Sequence, residues 1–464
     1  MVLEGYLDSN LEQRIPCHFE GNRLTLFFES FELPKEKENP VMDTGGNHLV
    51  RVWKRGMLAG GYYLMHLSHP LSIYDRFPFP HTSSYEVDWY IDSYNPGMTF
   101  TELSFNFDEL NYFIPAAVEI PMDDNAYHFP KGENDISRFT FSLDGKRVLF
   151  KLLTYTRGTI GISSGLQRVS ELSLSFKGTK DPEFLYKLYL IIADIFSFVC
   201  NRRNLTLCSA TIEGYLGKTN SKENKASSSF FALEKYKDPV EESKIISTTI
   251  NYQYLKAHFA GLVRLIASNY DSRIDGRVSV HGIHPSTFRR NLIDLRQALN
   301  ITSAFEFHVR KLMPGIVSTG TKDTYDEIKT LINDKYIPSV TGKKKKIAND
   351  IIRHLEPPVS LEDKIKKAIT GYDGWKSFED VVNRIFPDWD DLAHIANEWR
   401  NEIAHEKRQA TPSSKTIFAI RLVELLNYCI VLRTAGFSNK KIIKMVPHML
   451  DIKVSPKQPP MRSK

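Results

Sequence analysis

The hydrophobic pattern changes period along the chain. Over roughly the first two hundred residues apolar positions alternate with polar ones, which is the period of a strand with one buried face. Ile15, Cys17 and Phe19 alternate with Pro16, His18 and Glu20; Gly21-Asn22 supplies a turn, and Leu24, Leu26 and Phe28 resume the alternation, so a hairpin is predicted. Further strands are predicted over 48–54, 62–67, 85–91, 100–107 and 147–156, then through Val169, Leu172, Leu174 and Phe176. Pro182, followed by Glu183 and an apolar run to Cys200, predicts one long helix packed on the sheet. Strand periodicity returns over 205–212. Residues 218–229 are mostly Ser, Lys and Asn, which is linker composition.

From Glu241 onward apolar positions recur at helical spacing. Helices are predicted over 245–266, 288–313, 323–335, 345–355, 361–369, 377–385, 390–408 and 415–434, with Gly436 stopping the last. The expected fold class is therefore α+β and multidomain. A β-rich domain with one long helix occupies 1–240, an all-α bundle occupies 241–454, and a Pro- and Lys-rich tail over 455–464 is expected to be disordered.

The helix over 390–408 carries the most informative chemistry. Leu392, Ile395, Ala396, Trp399 and Ile403 form its apolar stripe. Measured from Leu392 at ~100° per residue, Asn401 falls near 180°, His405 near 220° and Arg400 at roughly 80°. Asn401 and His405 thus lie on the open face with His394, Asn397 and Arg408, and Arg400 sits on the shoulder. On spacing alone, an arginine followed five residues later by a histidine also occurs on ordinary solvated helices. The residue types nevertheless suit phosphate chemistry. An ordinary histidine titrates near ~6.5 and can give or take a proton at neutral pH. Arginine stays charged and grips two phosphate oxygens at once.

The run Arg400-Asn401-Glu402-Ile403-Ala404-His405 resembles the R-X4-6-H signature of HEPN domains, here with four residues between Arg and His and Asn directly after the Arg. The layout, a β-rich part followed by a helical bundle, is similar to the ApeA-type HEPN proteins of bacterial antiphage defence. The resemblance covers about the C-terminal two-fifths of the chain. It implies a metal-independent endoribonuclease acting on cellular RNA, with tRNA as one target. It also implies a homodimer in which two motifs face each other, a β domain acting as sensor or regulator, and a phage-derived trigger. In such domains an acidic residue from an earlier helix often faces the arginine, and Glu306 holds that position here. Arg400, Asn401, His405 and Glu306 are the expected catalytic set. Two other readings stay open: a non-catalytic HEPN module that binds nucleotides or a partner, and a receptor in which the bundle only dimerises the β domain.

A net charge of +6 favours a polyanionic partner without requiring one. Lys343, Lys344, Lys345 and Lys346, with Lys440, Lys441 and Lys444, are candidate phosphate contacts, and His394 and Arg408 extend the open face of the motif helix. A solvated charge run is the ordinary alternative. His281 and His284 read as loop residues, and His308 and His354 as helix-surface residues.

Cys17, Cys200, Cys208 and Cys429 are scattered without C-x-x-C spacing, which argues against a zinc ribbon or disulfide framework and suits a reducing cytoplasm. No H-E-x-x-H, paired-carboxylate or phosphate-loop pattern occurs, so neither a metal nor a cofactor is expected. The first residues have no basic n-region followed by an apolar stretch, and a secretory signal is not expected. The run over 185–200 is interrupted by Lys187 and Asp194 and is shorter than the ~20 residues of a membrane span.

Overall fold

The structure is a computed structural model that describes residues 2–8, 14–28, 49–54, 62–74, 81–114, 122–123, 126–127, 134–159, 165–202, 204–217, 224–233, 249–280, 295–313, 322–354, 359–372, 374–404 and 413–450. The chain divides into two compact units, Met1–Ile274 and Asp275–Lys464.

The strands of the first unit are β1 (Val2–Asp8), β2 (Arg14–Glu20), β3 (Arg23–Phe28), β4 (Leu49–Lys54), β5 (Tyr62–Tyr74), β6 (His81–Tyr94) and β7 (Met98–Phe105). A two-stranded ribbon, β8 (Met122–Asp123) with β9 (Ala126–Tyr127), stands apart. The remainder are β10 (Asn134–Leu143), β11 (Lys146–Thr159), β12 (Gly165–Thr179), β13 (Ser209–Leu216) and β14 (Lys225–Ala232).

Twelve of these strands form one sheet, ordered β10-β11-β12-β7-β13-β14-β6-β3-β2-β1-β4-β5, and β5 also pairs with β6. The extra pairing closes β6-β3-β2-β1-β4-β5 into a six-stranded antiparallel barrel. β4 pairs with β5 over Tyr62–His66, and the rest of β5 pairs with β6 alone. β6 is long enough to serve both parts of the sheet. Along one side its residues 81–86 pair with β3 and its residues 89–92 with β14. The alternation predicted for the first hairpin is the barrel's inward set, with Cys17, Phe19, Leu24 and Leu26 packed against Val52, Met65 and Val87.

The open part of the sheet is covered by α2 (Pro182–Cys200), the second helix after the short α1 (Asp108–Phe113). α2 starts where expected, because the Asp181 side chain accepts the Glu183 backbone N–H and Pro182 occupies the first turn. Its Phe184 meets Phe176 of β12 edge-on, and Tyr189 lies between Phe105 of β7 and Phe230 of β14. The apolar run over 185–200 is thus a core helix. Among the described residues no helix is long and apolar enough to cross a membrane.

One expectation about this region needs correction. The stretch 218–229 is not simply linker: Lys225–Ala232 is a central strand paired with β13 and β6. Serine is tolerated there because the Ser228 hydroxyl donates to the Ser93 carbonyl, and Phe230 and Ala232 supply the buried face. The division between the units falls at Ile274/Asp275, later than the change of periodicity at 240/241. The helices α3 (Tyr252–Leu255) and α4 (Phe259–Ala267) lie before it, and Phe259 packs on Phe139 of β10 and Phe150 of β11.

Gly214 sits at a bulge in the pairing of β13 with β7, where an added Cβ would lie 2.2 Å from the Thr99 carbonyl oxygen. Gly214→Ala is expected to destabilise the first unit by about 1–3 kcal/mol, because backbone rather than a flexible side chain stands in the way. The midpoint of thermal unfolding measures this, and an unchanged midpoint would show that the two strands can part at little cost.

The second unit contains α5 (Leu295–Leu312), α6 (Lys322–Leu331), a π turn (Ile332–Tyr336) and a 3-10 turn (Ile337–Ser339), α7 (Gly342–His354), α8 (Leu361–Thr370), α9 (Glu379–Val382), α10 (Trp389–Ala404), α11 (Ser414–Thr434) and α12 (Asn439–Met449). α11 is the hub: it is buried continuously from Leu422 to Leu432, and α5, α8, α10 and α12 pack around it. Gly436 follows it at φ 105°, a left-handed value that glycine adopts without strain.

Candidate functional site

The motif helix α10 is buried along Ala393 and Ala396, both fully inaccessible, whereas Leu392, Ile395, Trp399 and Ile403 are half-buried. The apolar stripe expected from the sequence is therefore centred about one residue away, on two alanines small enough for close approach to α11. Arg400 remains on the shoulder of the helix, with its side chain 38% exposed.

The structure brings Arg400 and Glu306 together. Arg400 Nη2 donates to Glu306 Oε2 at 3.1 Å, and Lys364 Nζ from α8 donates to Glu306 Oε1 at 2.7 Å. One carboxylate from α5 thus ties two cations from two other helices. Partial burial pushes the Glu306 carboxyl up, but the hydrogen bond and charge of Lys364, then those of Arg400, outweigh it and hold the group below its ordinary value. The carboxylate therefore stays ionised across the neutral range. Lys364 has no sequence signal that distinguishes it from Lys366 or Lys367; only the packing of α8 against α5 and α10 selects it.

Asn401 is exposed one residue further along. His405 and Arg408 lie outside the described residues. His394 is on the open face and exposed, with a carboxylate at each ring nitrogen: its Nδ1 lies 2.9 Å from Glu362 Oε2 and its Nε2 3.2 Å from Glu398 Oε1. The hydrogen bond to Glu362, then the charges of Glu398 and Glu362, raise its pKa above the ordinary histidine value. Lys366 bridges the same Glu362 to Asp390. A phosphate reaching His394 would have to displace a carboxylate.

Lys343, Lys344, Lys345 and Lys346 are all exposed and lie inside α7, in its first turn rather than in a preceding loop. α7 makes no extensive contact with α5, α8, α10 or α11. Lys440, Lys441 and Lys444 lie on α12, a helix that the sequence reading did not separate. Among the described residues no group of three or more His, Cys, Asp or Glu could hold a metal ion.

His308 corrects the surface reading given to it. It is completely buried on α5, where its Nε2 accepts the Ser279 backbone N–H at 2.9 Å and its Nδ1 lies 2.7 Å from Asn427 Oδ1 of α11. Since Nε2 accepts, Nδ1 must carry the proton and donate to Asn427. Asn427 Nδ2 in turn donates to the Ile301 carbonyl. Burial pushes the His308 pKa down to about 4, against the opposing effect of the hydrogen bond it donates to Asn427. The signal was present in the spacing: with Ile301 and Phe305, His308 falls at i, i+4 and i+7 on the buried face. His281 and His284 lie outside the described residues.

Residues 299–441 match the family model described as Apea-like HEPN, a span that includes Glu306, Lys364, Arg400, Asn401 and His405. No curated protein and no solved structure matches the chain. The helical C-terminal region thus matches the Apea-like HEPN family over residues 299–441 and follows a β-rich N-terminal unit.

Proposed function

We propose that this protein is a metal-independent endoribonuclease that cuts cellular RNA in antiphage defence, with structured RNA such as tRNA as the target. The observation that carries the reading is the placement of Arg400. It is half-exposed and anchored by one guanidinium nitrogen to Glu306, within an Apea-like HEPN match that also contains Asn401 and His405. The remaining guanidinium donors are available to phosphate oxygens.

In this mechanism a histidine removes the proton of the 2′-hydroxyl, and that oxygen attacks the adjacent phosphorus. The bond to the 5′-oxygen breaks, and a protonated histidine supplies the proton that the leaving oxygen needs. Arg400 balances the negative charge that accumulates on the pentacoordinate phosphate. Asn401, one turn before His405, orients the imidazole or binds a phosphate oxygen. Glu306 is a positioning residue, holding the guanidinium without touching RNA. One His405 per chain cannot readily be base and acid in the same turnover. The proposal therefore includes a homodimer in which two motif helices face each other across a two-fold axis. The β-rich unit acts as sensor for a phage-derived trigger and keeps the two motifs apart until the signal arrives.

The test is cleavage of total RNA and tRNA by purified wild-type and His405→Ala protein, with EDTA present. Cleavage by wild type, reduced ~10²–10⁴-fold in the variant, is the expected result for loss of a general acid–base group. Equal cleavage by both proteins would remove His405 from the mechanism. Saturable RNA binding without turnover, even after addition of infected-cell lysate, would make the domain a binding module instead.

A further inference from the structure

Residues 322–354 form an arm of the second unit whose surface is not that of a solvated helix pair. α6 and α7 pack on the π and 3-10 turns between them and make no extensive contact with the other helices of the bundle. Five large apolar side chains on this arm, Ile328, Leu331, Tyr336, Ile347 and Ile351, are between 38% and 50% exposed. Isolated exposed apolar residues are ordinary, but five within one short arm mark a contact surface.

The charges on the arm select the partner. α6 exposes Asp326 and Glu327 beside Ile328 and Leu331, with Lys329 half-buried next to them, whereas α7 exposes Lys343–Lys346 beside Ile347 and Ile351, with Asp350 further along. Lys343, Ile347 and Ile351 follow one another at i, i+4 and i+8 along one face of α7. Among the described residues neither Asp326 nor Glu327, and none of the four lysines, is in an ion pair. The lysines also occupy the first turn of α7, which contains no acidic residue. Positive charge at a helix N-terminus opposes the helix dipole, so carboxylates from another surface would relieve that turn. A polyanion such as RNA, or an anionic membrane, would attract the lysines but would be repelled by Asp326 and Glu327 on the same arm. A surface with an acidic helix and a basic helix flanking apolar residues is complementary to itself under a two-fold rotation.

We propose that the α6–α7 arm docks on the same arm of a second copy of this chain, placing Lys343–Lys346 of α7 against Asp326 and Glu327 of the partner copy's α6, with the five apolar side chains between them. This contact is separate from a pairing of motif helices and does not depend on ribonuclease activity.

The experiment mixes two differently tagged populations of the full chain, one carrying Glu327→Cys and the other Lys344→Cys, and treats them with a short bismaleimide. A crosslink joining the two tags is expected, and it is expected to be absent from parent chains that carry the exposed Cys208 alone. Introducing Ile347→Glu and Ile351→Glu into both populations should reduce the crosslink about tenfold or more, with circular dichroism confirming that the surface variants remain folded. No crosslink in the mixture, or one that the glutamates leave unchanged, would overturn the proposal. A Lys343–Lys346→Ala variant that loses salt-sensitive RNA binding while the mass of the protein in solution stays constant would assign the face to a polyanion and equally overturn it.

Discussion

Arg400→Ala is expected to lower RNA cleavage by ~10²–10³-fold, the usual consequence of removing one preorganised group that stabilises transition-state charge. The same change should leave folding nearly intact. The Arg400 side chain is 38% exposed, and its ion pair with Glu306 lies where solvent screens it, so the stability loss should be at most about 1 kcal/mol. Glu306→Gln separates positioning from chemistry. It retains the volume and an acceptor for Arg400 but removes the charge shared with Lys364, so a smaller, substrate-concentration-dependent loss is expected. Steady-state cleavage by the wild type and the two variants, with urea unfolding as the folding control, measures both effects. Equal losses of activity and stability in Arg400→Ala would mean that the arginine is a structural strut.

The Glu306 carboxyl also limits the acid range of the site. Its pKa is held below the ordinary value, so the stability gained from the Lys364 and Arg400 contacts is fully present above the unfolded-state pKa of roughly 4.3. It is lost as pH falls through the lower folded-state value. Titration of Glu306 thus cannot account for a change in cleavage between pH 5 and 8.

The second large effect is acid instability of the helical unit through His308. The group is neutral and completely buried, with a folded pKa of about 4 against an unfolded value near ~6.5. Between those values the unfolded chain binds the extra proton and the folded unit does not, so stability is complete above about pH 6.5 and falls on acidification towards pH 4. The loss across the window is about 3 kcal/mol, a large fraction of the stability of an ordinary domain. Protonation would place a second N–H on Nε2, directly against the Ser279 N–H that it now accepts. His308→Gln can present an acceptor and a donor without titrating, so this part of the acid dependence should vanish. Urea midpoints at pH 7 and pH 4.5, read from the fluorine signals of Trp375 and Trp399 in 5-fluorotryptophan-labelled protein, compare the two. Identical acid slopes would show that other groups carry the dependence.

Much of the architecture was legible because it rests on period and punctuation. Gly21-Asn22 turns the first hairpin, and α2 follows from Pro182 and Glu183 at the start of the apolar run to Cys200. What misled was composition read without neighbours. The serine-rich stretch has linker composition, yet Ser228 has a carbonyl partner within the sheet. The helical spacing of α4 matches that of the later bundle, yet Phe259 belongs to the aromatic cluster over β10 and β11.

By itself the sequence determined the two-part α+β organisation and the motif helix as far as Ala404, since amphipathic spacing is a local property. It named Glu306 as the facing acid only by resemblance to a family. The tertiary structure alone decided that Glu306 joins Arg400 to Lys364, that His394 lies between Glu362 and Glu398, and that His308 is a buried lock between α5 and α11. It also decided that β5 returns to β6 and closes a barrel. Each of these is a contact between residues distant along the chain, and neither spacing nor propensity encodes which distant partner a side chain meets.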